Sequence, residues 1–190
     1  MDVLGLIRLV GQFAAHLGWQ WWAASIAVGI ICGIVCRTTR HHKRLLKADV
    51  VAAALLGCYL TVVTAFTVFA RSHHDLEQPY NLYVFATIAA RLAPGSGAKY
   101  EVILNAVMLV PLGLLLPIIM KCGTKRIAVV ALCLVVAIEC LQLAFSIGTF
   151  ELADIVENIC GALLGYGIYA LACFAHSRIK TMRKPPAHMA

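Results

Sequence analysis

Residues 102–147 read VILNAVMLVPLGLLLPIIM, then KCGTKR, then IAVVALCLVVAIECLQLAFSI. Two apolar runs flank a short basic turn. Each is close to the ~20 residues that an α-helix needs to cross the hydrocarbon core of a bilayer. The pattern predicts two membrane-spanning helices joined tightly on one side. Working outward, three more runs have the same character. One covers about residues 19–36 and opens with Trp19, Trp21 and Trp22, an aromatic anchor of the interfacial kind. The others cover about 50–70 and 153–174.

Composition agrees. Of 190 residues, 62% are hydrophobic and only 13% charged, against about 25% charged in a soluble domain. The expected fold is all-α, a polytopic bundle of about five transmembrane helices. Residues 1–18 precede it as an amphipathic segment, residues 19–176 form the membrane domain, and residues 177–190 form a basic cytoplasmic tail. Arg8, Gln12, His16 and Gln20 recur every four residues, giving one polar stripe. The stripe suits a helix lying on the membrane or an extension of the first span, and the first reading is favoured.

The formal charge is +7, but the basic residues sit in short clusters beside apolar runs. That distribution marks cytoplasmic connections and gives no reason to expect nucleic acid as a partner. The clusters are Arg37, Arg40, Lys43, Arg44 and Lys47, then Lys121, Lys125 and Arg126, then Arg178, Lys180, Arg183 and Lys184. Between the fourth and fifth spans there are only Glu151 and Asp154. Five alternating spans then place the N-terminus outside and the C-terminus in the cytoplasm of a multi-pass cell-membrane protein.

With that topology the intramembrane polar groups fall at one level. Asn105 lies about one turn inside the outer end of the third span. Glu139 lies ~12 Å below the outer end of the fourth at 1.5 Å per residue, with Gln142 on the same face. Glu151, Asp154, Glu157 and Asn158 occupy the entry to the fifth, where Asp154 and Asn158 share a face. A carboxylate inside hydrocarbon is costly and is normally paired or functional, so Glu139 is the sharpest signal. The bland alternatives are acidic residues meeting the helix dipole and amides holding helices together; Glu157 reads as structural or solvated. The eight cysteines read as small buried hydrophobes, and neither a metal site nor a cofactor is expected. Gly161 and Gly165 are spaced for close helix approach and would allow a homodimer.

The long connection 71–100 contains Asn81-Leu82-Tyr83-Val84-Phe85 and is expected to hold a short amphipathic or re-entrant helix near the interface. Together with Asn105 through Pro111 and Gly113, with Glu139 and Gln142, and with Phe150-Glu151-Leu152-Ala153-Asp154 followed by Asn158 and Gly161, this stretch resembles the VanZ-like membrane protein family over about residues 78–170. The departures are Val84 for a proline, Glu151 for an aspartate, Ala153 for a carboxylate, and Gly148 near the place of a common arginine. A basic partner for the acidic residues is therefore missing unless Arg91 or Lys99 supplies it.

The resemblance implies a cell-envelope protein associated with lowered sensitivity to the glycopeptide teicoplanin. The expected ligand-binding residues are Asn81, Phe85, Asn105, Glu139, Gln142, Glu151, Asp154 and Asn158, in an outward-facing polar pocket. The expected partner is a membrane lipid or a lipid-linked cell-wall precursor. An enzyme acting on a lipid head group is the alternative, since paired carboxylates can supply acid and base. Against it, no intramembrane His, nucleophile elbow or metal cluster accompanies them, although His73 and His74 lie in the outer connection. A small transporter or accessory subunit is a third reading, weakened by the lack of an internal repeat.

Overall fold

A computed structural model of the chain describes residues 19–39, 47–69 and 79–182. The N-terminal amphipathic segment, the basic residues 40–46, His73 and His74, and the last residues of the tail lie outside these. The described chain is almost entirely helical. Its elements are α1 (Trp19–Thr39), α2 (Lys47–Thr64), β1 (Tyr80–Asn81), α3 (Val84–Leu92), α4 (Lys99–Met108), α5 (Val110–Met120), α6 (Thr124–Ala144), β2 (Phe150–Glu151) and α7 (Leu152–Met182). Four stretches are long and apolar enough to cross a membrane: Lys47–Val68, Lys99–Met120, Thr124–Ala144 and Leu152–Thr181. For α1, expected as a further span, the apolar stretch is the shorter Trp19–Cys32.

Small residues set how the helices pack. Gly29 on α1 lies against the backbone of Ala54 on α2, and Gly57 on α2 lies against Cys32 and Gly29. These two helices therefore form a tight hairpin, further tied by the Ser25 hydroxyl donating to the carbonyl of Cys58 at 2.6 Å. A second seam joins α4 and α5 to α7. A methyl group on Gly161 would overlap the carbonyl of Ala106, one on Gly165 that of Val110, and one on Gly113 that of Ala162. The face expected to receive a second copy of the chain is thus filled from within, because close backbone approach is what those glycines supply to α4 and α5. Around the seam lies the apolar core of Leu56, Leu109, Leu112, Leu116, Cys122, Ile127, Ala131 and Ala162.

Two departures from regular helix shape the bundle. The third expected span breaks at Leu109 into α4 and α5. Pro111 lacks the N–H that would continue the ladder, and the Tyr59 hydroxyl of α2 donates to the nearby carbonyl of Met108. The second departure is a π-helical turn, Ala65–Phe69, at the end of α2. At the opposite end of the bundle α5 stops at Lys121, whose left-handed backbone (φ 51°, ψ 44°) caps the helix.

The long connection is largely built structure. β1 pairs in parallel with β2, Tyr80 opposite Phe150 and Asn81 opposite Glu151, and α3 follows. This brings residues 79–101 and the α6–α7 turn to the same end of the bundle, whereas Asp49 and Lys121 meet at the other.

Candidate functional site

The polar end is organised by Arg91, near the C-terminus of α3. The residue is only 8% exposed. Its Nη1 lies 2.7 Å from Asp154 Oδ1 and 3.2 Å from Glu157 Oε2, and its Nη2 lies 2.9 Å from Glu151 Oε2. Glu101, at the start of α4, approaches Nε at 3.5 Å from a more exposed position. A planar guanidinium can serve several carboxylates at once because its five donors project in a fixed fork. Burial opposes the charge on Arg91, but the hydrogen bond it donates to Asp154 and the three nearby carboxylates outweigh it and raise its pKa further.

The anions are delivered by helical spacing. Glu151 ends β2 and its successors Asp154 and Glu157 follow at intervals of three on α7, so one face presents all three to Arg91. Glu157 is 4% exposed and also accepts the Asn105 side-chain amide at 2.9 Å. The solvated reading of Glu157 does not hold, because α3 covers it. The 151/154/157 spacing was visible in the sequence, but a distant cation had to fold over it before it meant anything. Glu151 is drawn both ways. Burial and the neighbouring carboxylates push its carboxyl above the ordinary 4.5, and Arg91 pulls it down, with burial the largest influence and the net direction upward.

The other anticipated residues surround this centre. Asn81 donates to Thr87 Oγ1 at 3.0 Å and lies 3.5 Å from Glu151 Oε2, while its own oxygen accepts the N–H of Tyr83. Glu139 accepts the backbone N–H of Glu151 at 3.0 Å, so this intramembrane carboxylate fixes the strand that carries Glu151. Gln142 donates at 2.9 Å to the carbonyl of Thr67, which lies in the π-helical turn of α2. Such turns leave backbone groups out of the regular ladder, and Gln142 satisfies this one. Asn158 donates to the carbonyl of Asp154 at 2.8 Å, and its buried Oδ1 has no partner.

Phe85 is the one anticipated residue that the fold keeps away from the others: it is 88% exposed, on the far side of α3. Lys99 is not the acidic residues' partner either, lying instead over the ring of Tyr100. Arg91, reaching from α3, supplies the cation that the acidic residues lack in their own stretch of sequence. Among the described residues no group of His, Cys, Asp and Glu is arranged to hold a metal ion, and the described cysteines are free thiols. With one guanidinium against three close carboxylates, the arrangement holds a surplus of acceptors that can share protons or receive a donor.

The model of the VanZ/LLP1 family matches residues 50–173. "Protein VanZ" of Enterococcus faecium is 26% identical over 126 residues, covering 65% of this chain and 76% of its own length. No solved structure matches the chain.

Proposed function

The chain belongs to the VanZ/LLP1 family, and on that premise we propose that it is a cell-envelope membrane protein that lowers sensitivity to teicoplanin-like glycopeptides. It does so by binding a lipid-linked or amphiphilic ligand at the polar end of the bundle. In this reading that end faces outward, with the N-terminus outside and the C-terminus in the cytoplasm. The alternation of basic clusters supports this orientation, as does the separation of Arg91 and its carboxylates from the Lys121 end.

The observation that carries the reading is Arg91 enclosed by Glu151, Asp154 and Glu157. Burying this many ionised groups is costly and is not the cheapest way to hold helices together, since well-packed apolar residues often do as well or better. Asp154 and Glu151 keep 18% and 22% of their side chains exposed, and Glu101 keeps 60%. These rims are where a ligand's amine, amide or hydroxyl donors would meet acceptors, Arg91 staying behind as the organiser.

The test is glycopeptide susceptibility of cells carrying Asp154→Asn or Glu139→Gln, with membrane abundance of each protein confirmed. Loss of protection at normal abundance is the expected result. Protection equal to that of the parent chain in both variants would overturn the reading. Fusions of a reporter at Gly148 test the orientation, and a cytoplasmic signal there would reverse it.

A further inference from the structure

Helix α3 is amphipathic in the wrong sense for water. Its inward side carries Thr87 and Arg91, the latter buried. Its outward side carries Phe85, Ala89 and Leu92, spaced by four and three residues and so aligned on one face. Phe85 is 88% exposed and Leu92 55%. The approach to the helix extends the same surface, with Tyr80, Leu82 and Tyr83 each more than half exposed. No charged residue of α3 points outward, since Arg91 is its only one and is held from behind by α7. A surface helix of a soluble protein hides its apolar stripe and exposes its charges; α3 does the reverse.

The helix is far too short to span a bilayer at nine residues. It is nevertheless fixed at the depth where spans begin, because Arg91 grips Asp154 in the first turn of the apolar stretch Leu152–Thr181. Aromatic side chains with a polar tip, such as Tyr80 and Tyr83, favour the boundary between head groups and acyl chains.

We propose that α3 is embedded edge-on in the membrane interface at the polar end of the bundle, with its Phe85–Leu92 face in lipid. The occupant of this surface is then the bilayer itself, and the Arg91 network sits at head-group depth behind a lipid-coated helix. This placement is independent of whether the network binds a ligand.

The full chain in phosphatidylcholine vesicles tests it. Single tryptophans are added as Phe85→Trp, Leu92→Trp and, in the open turn beyond α3, Gly97→Trp, where added side-chain atoms meet nothing. Emission is read as the increment over the parent, which retains Trp19, Trp21 and Trp22. Lipids brominated on the acyl chains are expected to remove most of the added emission at Phe85 and Leu92, and aqueous iodide to leave it nearly unchanged. Gly97→Trp should show the opposite. Iodide quenching at positions 85 and 92 would put the face in water and overturn the proposal. So would protection from both quenchers, which would mean that a protein covers it. Two reporter positions guard against one substitution disturbing the helix.

Discussion

The two ends of the bundle each hold a buried charge, and they solve the problem differently. At one end Asp49, 3% exposed in its side chain, is met by Lys121 at 3.1 Å, and that lysine is itself 54% exposed. At the other end the cation is the buried partner, 10% exposed in its side chain, and carboxylates surround it. A lysine is a hydrated point charge on a flexible stem, suited to reach in from water toward one acid. An arginine is a planar fork that can be buried and still serve several. The first arrangement tacks the start of α2 to the end of α5. The second joins α3, α4, β2 and α7, so that removing one group unsettles four elements.

By that contrast, Arg91→Met is the most damaging single change. It strands the buried Glu157 together with the part-exposed Asp154 and Glu151, and breaking one partner out of a buried ion pair typically costs about 3–5 kcal/mol. Thermal unfolding in detergent should show it directly, and an unchanged melting temperature would erase the distinction between the ends. Arg91→Lys keeps the charge and loses the fork. It should cost about 1.5–3 kcal/mol, the worth of a hydrogen bond to a charged group, and leave a protein that folds but melts earlier.

Glu151 sharpens the comparison through pH. Its folded pKa is raised above the ordinary 4.5, by burial first and neighbouring carboxylates next, against the pull of Arg91. The stabilisation from protonating it is fully present below 4.5 and is lost as pH rises through the higher folded value. Glu151→Gln imitates the protonated form and keeps an oxygen toward Arg91. It is therefore expected to be neutral or slightly stabilising at pH 7, and to remove the contribution that protonating Glu151 is expected to make to the parent's melting temperature on mild acidification. A clear loss of stability in Glu151→Gln at pH 7 would mean that the full negative charge is needed.

The smallest effect belongs to the other end. Lys121→Gly removes an ion pair whose cation is half exposed but whose acid, Asp49, is buried, so the lost contact to a charged group costs about 1.5–3 kcal/mol. It also relieves a left-handed backbone that costs a non-glycine residue roughly 1–2 kcal/mol. The two changes oppose each other, so the melting temperature should move little in either direction. A drop as large as that of Arg91→Met would show the two ends to be energetically alike.

Much of the fold was legible because lipid leaves so few options. Runs of apolar residues near the length of a bilayer crossing read as spanning helices, since only a helix satisfies its own backbone in hydrocarbon. The motif residues Asn81, Asn105, Glu139, Gln142, Glu151 and Asp154 were singled out in one dimension and lie together in three. Harder to read were the partners. The carbonyl that Gln142 satisfies exists only because α2 ends in a π-helical turn, which no local sequence preference announces. Gly161 and Gly165 announced close approach, but spacing alone is the same whether the neighbour is another copy or the chain's own α4 and α5.

The sequence by itself determined that the chain is built of apolar helices, where their polar residues fall and which residue types gather near one level, because hydropathy and helical period are local properties. Only the tertiary structure decided that Arg91 is the counterion. It is separated by 60 to 66 residues from the three carboxylates it meets, and a charge that far along the chain becomes a partner only when α3 folds back over α7. The same fold turned the apolar face of α3 outward, away from the bundle, where lipid is the solvent that suits it.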